Sequence, residues 1–160
     1  MTEDEFYAGL PQKRVVAGTL FTDEKGRLLI LKPSYKDGWT VPGGMVEPRE
    51  SPRDACIREV REELGFAFEP GHLLCVDYNT YSDSGSKSES IKLVFDGGVL
   101  DEKGIGKIAI DGKEIVAYEF AEIDDACTRL NPHLAKRVPH ALKARENGTT
   151  AYLEEGNLVL

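Results

Sequence analysis

Basic residues are in short supply in this chain of 160 residues: 20 Lys and Arg stand against 28 Asp and Glu, a formal net charge of −8. A surface of that sign lacks the basic footprint of a nonspecific nucleic-acid or anionic-membrane binder. It does not exclude a small phosphate substrate, because metal ions can bridge two anionic partners. Cysteine is scarce as well. Cys56, Cys75 and Cys127 are an odd number, widely spaced and without a C-x-x-C pair. Neither a zinc site nor a disulfide framework is expected, and reduced thiols in a cytoplasm fit better. No apolar run approaches the length of a membrane span, and the acidic start MTEDEFYAGL has no signal core. The expected compartment is the cytoplasm, with no membrane and no nucleic-acid polymer as partner.

What is present is ordinary for a globular protein, with 41% hydrophobic and 30% charged residues. Residues 1–160 are expected to form one domain with a buried core. Residues 1 to about 12 read as a loose lead-in. Arg14–Phe21 and Arg27–Leu31 read as strands joined by a turn at Asp23-Glu24-Lys25-Gly26. A loop carrying Tyr35 leads to Trp39-Thr40-Val41-Pro42-Gly43-Gly44, where proline and paired glycines permit an unusual backbone path. After a central helix come strands at His72–Tyr81 and Ile91–Phe95, separated by a polar loop, Ser82–Ser90, and followed by Gly97-Gly98 and a charged, Gly-punctuated stretch, Asp101–Lys113. Glu114–Phe120 reads as a strand, about Ile123–Leu130 and Pro132–Glu146 as helices, and about 149–160 as a terminal hairpin. Strands mixed with helices on this scale predict an α/β layered domain.

The central segment, Gly44–Phe66, carries the chemistry. Ser51 is placed to be a helix N-cap, Pro52 fits the first helical position, Asp54 stands at the capping-box position, and Gly65 supplies a left-handed stop. In that helix Glu59, Glu62 and Glu63 share one face, since residues three and four apart are neighbours. Cys56, Ile57, Val60 and Leu64 form an apolar arc beside it, with the small Ala55 on the acidic side. Like charges so placed repel by a few tenths of a kcal/mol per pair, and a cation relieves that repulsion. Oxygen-only ligands suit Mg²⁺ or Mn²⁺ rather than zinc.

The same residues match the box G-x5-E-x7-R-E-U-x-E-E-x-G-U, with Phe66 in place of an aliphatic residue at the last position. From background frequencies, a chance match to its Gly, Glu and Arg positions is rarer than roughly one in ten thousand for such a chain. The chain thus resembles the Nudix hydrolase superfamily, and WTVPGG before the box resembles that family's usual approach to it. The resemblance implies the Nudix fold, an α/β/α sandwich with a mixed sheet. It also implies Mg²⁺- or Mn²⁺-dependent hydrolysis of a nucleoside diphosphate linked to another moiety, X. Glu59 and Glu63 are the expected principal metal ligands, with Glu62 a further ligand or the general base. A backbone carbonyl near Gly43 or Gly44 would complete the coordination. Arg58 is expected to pair with the carboxylates and hold them in register, and Glu50 to anchor the loop.

The resemblance also implies a fourth acidic residue outside the box, on a loop before a late strand. Glu114 is the candidate ligand or base, with Asp111, Glu119 and Glu122 as rivals. Trp39, Tyr35 and Lys32 are candidates for binding substrate, and Tyr78 and Tyr81 for lining a base pocket. For Trp39 packing is the competing role, and for Lys32 a solvated strand edge. Lys136-Arg137, Lys143 and Arg145 read as the solvated face of the last helix. Two substrate classes compete: (deoxy)nucleoside triphosphates, and conjugates such as ADP-ribose or NDP-sugars. In the family that the chain resembles, a proline about fifteen residues past the box marks the ADP-ribose type; Thr80 and Tyr81 stand there instead, which favours another substrate. A nucleotide-binding regulatory module without turnover is the alternative of a different kind, although all the box carboxylates are present. An isoprenoid-diphosphate isomerase would need a placed Cys acid, which no cysteine here is marked to be. A homodimer is admitted as an assembly.

Overall fold

The computed structural model describes residues 1–82 and 85–160. The chain runs α1 (Glu3–Ala8), β1 (Arg14–Asp23), β2 (Leu28–Pro33), β3 (Gly43–Met45), α2 (Pro52–Leu64), β4 (Leu73–Tyr81) and β5 (Lys87–Leu100). It continues through α3 (Glu102–Ile105), β6 (Ile115–Ala121), α4 (Ile123–Arg129), α5 (Pro132–Asn147), β7 (Ala151–Glu154) and β8 (Asn157–Leu158). Alternation along β1 and β2 sets the layers, because successive strand residues face opposite sides. Leu20, Leu28 and Ile30 pack with Leu134, Val138 and Ala141 of α5. Phe21, Leu29 and Leu31, one residue out of phase, pack with Val60 and Leu64 of α2. Both faces are thereby covered, and the result is an α/β/α sandwich.

The strands form one mixed sheet in the order β6-β2-β1-β5-β4-β7-β8, with β3 added to β1. β1 runs parallel to β5 and antiparallel to β3, which sets Gly43 opposite Gly18 and Gly44 opposite Ala17. This pairing carries the Gly43-Gly44 backbone to the foot of α2.

Three expectations are corrected. Residues 3–8 of the expected lead-in form α1, capped by Thr2, whose hydroxyl accepts from the Glu5 N–H while the Glu5 carboxylate takes the Thr2 N–H. The polar stretch expected as a loop to Ser90 is already strand from Lys87. Ser90 is fully buried there, paired with Arg14 on one side and Asn79 on the other; residues 83 and 84 of that expected loop lie outside the described residues. The third concerns the strand expected to end at Phe95, which continues through Gly97-Gly98 to Leu100 with a bulge opposite Leu20 and Phe21. A Cβ on Gly97 would lie 2.6 Å from Cδ1 of Phe21, so glycine there admits the ring. The chain ends with β7 parallel to β4 and β8 folded back on β7. No helix among the described residues is long and apolar enough to cross a membrane.

Candidate active site

Local signals place α2 as its sequence dictates. The Ser51 hydroxyl accepts from the Asp54 N–H at 3.0 Å, Pro52 opens the first turn, and Gly65 ends the helix in the left-handed conformation with φ 79°. The roll of the helix differs from expectation. Ala55 and Glu63 are buried together with Cys56, Val60 and Leu64, whereas Ile57 is only half-buried. Ala55 packs with Ala17 of β1 and Cys56. The acidic side is therefore turned partly toward the sheet, and the side chain of Glu59 is 12% exposed.

The glycine pair of β3 meets that acidic side. The Gly43 N–H donates to Oε1 of Glu63 at 2.8 Å. A Cβ on Gly44 would lie 2.3 Å from Oε1 of Glu59, so only glycine leaves room for the carboxylate. Arg58 is the organiser. Its Nε donates to Glu50 Oε2 at 2.8 Å, its Nη1 to Glu59 Oε1 at 2.9 Å and to Glu62 Oε2 at 3.3 Å, and its Nη2 to the Met45 carbonyl at 3.0 Å. Glu50 also accepts the Glu47 N–H at 3.1 Å, so it ties the box loop to the helix. Its bonds from Arg58, then that N–H, hold the Glu50 carboxyl down at about 2.

Electrostatics separate the remaining carboxylates. Burial pushes Glu63 up to about 8, against the Gly43 N–H and with added repulsion from Glu59, Glu114 and Glu62. Glu59 is raised too, by burial above all, with Arg58 opposing. Glu114, at the turn before β6, is thus within electrostatic reach of both. That turn is fixed by Asp111, whose Oδ1 accepts from the Lys113 and Glu114 N–H groups at 2.9 and 3.1 Å. Two rivals of Glu114 are engaged elsewhere, Asp111 in this turn and Glu119 with Arg129, while Glu122 precedes α4 without a side-chain capping bond.

Among the described residues, no group of three or more acidic, His or Cys side chains stands ready to hold an ion. Glu59 and Glu62 are turned to Arg58, and Glu63 to the Gly43 N–H. The donor set nevertheless fits a hard divalent cation. Buried, mutually repelling carboxylates are the groups a cation would restore to the charged form, and the space at Gly44 admits Glu59 beside main-chain oxygen.

A pocket of about 170 Å³ opens beside these residues, with Glu63, Gly43, Gly44, Tyr35, Lys92 and Arg137 in its lining. Partial desolvation, then the negative charges of Glu63, Glu114 and Glu59, raise the Tyr35 hydroxyl. Trp39 does not line this pocket. It packs against the α5-side core, and the Arg129 guanidinium lies 4.3 Å from its ring centroid. Lys32 is also absent from the lining, its Nζ donating to the carbonyls of Lys36 at 3.1 Å and Gly38 at 3.2 Å. Tyr78 donates to Glu89, and Tyr81 lies on a separate open depression.

Arg137 and Arg145 are not on a solvated face. Arg137 is buried against Asp77, with Nε to Oδ2 at 2.8 Å, and Arg145 pairs with Asp96 at 2.9 Å. A signal for Arg137 was present in the sequence: it lies three residues after Leu134 and four before Ala141, on the apolar arc of α5.

Comparison with known proteins agrees with this geometry. The NUDIX domain model matches residues 12–141. Diphosphoinositol polyphosphate phosphohydrolase 3-alpha of Mus musculus is 49% identical over 49 residues, 31% of this chain and 30% of that protein. The chain thus aligns with about a third of the length of that curated relative. A MutT NUDIX hydrolase from Burkholderia pseudomallei superposes with a TM-score of 0.58 at 27% identity, over 71% of this chain and 86% of that one. A UDP-X diphosphatase gives a TM-score of 0.72 at 19% identity, over 96% of this chain and 76% of that one, a likeness of fold alone. With its family model, its box residues and its sheet order in agreement, the chain belongs to the NUDIX domain family.

Proposed function

We propose that this chain is a pyrophosphohydrolase that cleaves the diphosphate bond of a nucleoside diphosphate linked to X, with a (deoxy)nucleoside triphosphate or a related nucleotide as substrate. The observation that carries this reading is the meeting of Glu59 and Glu63 with Gly43-Gly44, beside a pocket lined by Glu63 and both glycines and large enough for part of a nucleotide. Glu59 and Glu63, with main-chain oxygen near Gly44 and Glu62 as a further donor, would hold Mg²⁺ or Mn²⁺. Such an ion supplies charge neutralisation of the diphosphate and a lowered pKa for attacking water.

The chain's own residues do the remaining work. Arg58 fixes the carboxylates in register and holds Glu59 beside Gly44 before substrate arrives. Glu114 carries no hydrogen bond or ion pair on its side chain among the described residues, whereas Glu62 is held by Arg58. Glu114 is therefore the group free to accept the proton of the attacking water. Tyr35 stands at the pocket rim, where its exposed ring can border the substrate.

Phosphate and pyrophosphate release with Mg²⁺ and with Mn²⁺ tests this reading against dNTPs, oxidised dNTPs, ADP-ribose, NDP-sugars and diphosphoinositol polyphosphates. Metal-dependent turnover of a nucleoside triphosphate is expected. Glu59→Gln and Glu63→Gln are each expected to lower it by roughly a hundredfold or more while the protein stays folded. Near-wild-type rates in both variants would sink the site assignment, and binding of nucleotide without turnover would make the chain a regulatory module.

A further inference from the structure

Arg137 is a charged side chain that is 5% exposed, yet it lines the same pocket as Glu63. Its Nε donates to Asp77 Oδ2 at 2.8 Å and its Nη2 to Asn79 Oδ1 at 3.2 Å. Those two donors occupy one edge of the guanidinium plane. The other edge, Nη1 with the second Nη2 hydrogen, makes no hydrogen bond to a described residue. Asp77 is fully buried and is fixed from behind, because its Oδ1 accepts the Gly156 N–H at 3.0 Å from the β7–β8 turn. The Asp77–Arg137 pair is therefore held rigidly and is close to neutral in charge. It offers the pocket direction rather than net charge: two parallel N–H donors with no acceptor among them. Glu63 and Lys92, also in the lining, carry opposite charges, so an anionic group is not favoured over a neutral one.

We propose that Arg137 is a specificity-determining residue that selects a 6-oxopurine base, and that Asp77 is its positioning residue. A 6-oxopurine presents two adjacent acceptors, O6 and N7, to a forked pair of N–H donors. A 6-aminopurine keeps N7 but presents an N–H donor in place of O6, which leaves one N–H of the guanidinium facing a donor in a buried site. The proposal rests on the nucleotide reading above and adds the class of base.

Inosine and adenosine triphosphates share N7 and differ only along the C6–N1 edge, so the ratio of their kcat/KM values, read together with its loss in the Arg137 variant, is the test. The expected preference for inosine triphosphate is roughly ten- to a hundredfold, the usual discrimination of a bidentate arginine contact. Arg137→Gln alone leaves Asp77 buried without its partner and is prone to unfold. The double variant D77N/R137Q replaces the ion pair by two amides and keeps the comparison readable. In that variant, shown folded by thermal melting, the ratio is expected to fall to within about threefold of unity, because Gln both donates and accepts. Equal kcat/KM for the two nucleotides in the unaltered protein overturns the proposal and leaves the hydrolase reading intact. A ratio that survives in the folded double variant removes Arg137 from the role. Hydrolysis of neither nucleotide overturns the proposal together with the triphosphate reading.

Discussion

At the scale of single residues, Arg58 divides the carboxylates into two groups. Glu50, Glu59 and Glu62 hydrogen bond to it, while Glu63 and Glu114 do not. The first group is held in place by the guanidinium, and the second is not. This division gives a kinetic prediction for the two candidate bases. Glu114→Gln is expected to lower kcat by roughly a hundredfold or more with KM changed less than about threefold, the pattern of a lost general base. Glu62→Gln is expected to cost clearly less, since its exposed carboxylate serves Arg58. Steady-state kinetics at saturating metal decide, and a larger loss in the Glu62 variant would reverse the assignment. Legibility at this scale was uneven. The box glutamates could be read from spacing alone, because a helix makes neighbours of residues three and four apart. Arg137 was misread because arginines on a terminal helix are ordinarily solvated, and its partner Asp77 lies sixty residues away in sequence. The inward alternation of Cys75, Asp77 and Asn79 along β4 was the only local sign that polar groups face the core there.

At the scale of elements, the site is the seam between α2 and β3, and the two contribute differently. The cap, proline and glycine stop of α2 act within a few residues of one another, which is why that helix could be bounded from the sequence. Its roll could not, because burial of Ala55 and Glu63 is decided by β1 and β3 rather than by the helix. The full length of β5 was hidden for a similar reason. A serine-rich stretch becomes strand when β1 and β4 supply partners on both sides, whatever its intrinsic preference. Two substitutions separate the roles of these elements. Ser51→Ala removes the N-cap acceptor and is expected to cost about 1 kcal/mol. For a chain of this size that lowers Tm by about 2–4 °C, with kcat/KM kept within about twofold. Gly44→Ala drives a Cβ into the space of the Glu59 carboxylate, 2.3 Å from Oε1. It is expected to lower turnover by roughly tenfold or more with a smaller loss of stability than its effect on rate would suggest. Paired melting curves and kinetics check both, and an inactive Ser51→Ala protein with an unchanged Tm would contradict this division.

At the scale of the whole molecule, one sheet is shared by two cores, and the cysteines report on them separately. Cys56 lies on the α2 side with Ala17 and Ala55, and Cys75 on the opposite side with the α5 cluster. Burial pushes the Cys56 thiol up to about 11 and the Cys75 thiol up to about 12. At pH 8 a thiol at about 11 is ionised to roughly one part in a thousand, and the thiolate is the reactive form. Neither thiol is therefore expected to react in the closed protein. Cys127 on α4 is half-buried, and partial burial then Asp124 raise its thiol; it is expected to label first. Strands β1 and β2 present alternate residues to both cores, so neither core can open without disturbing the other. Cys56 and Cys75 should then become reactive together, at one rate set by cooperative opening of the sheet. Mass-resolved thiol labelling of the native protein over time measures this. Labelling of Cys56 well ahead of Cys75 would show instead that the α2 side, and with it the carboxylate site, opens as a unit of its own.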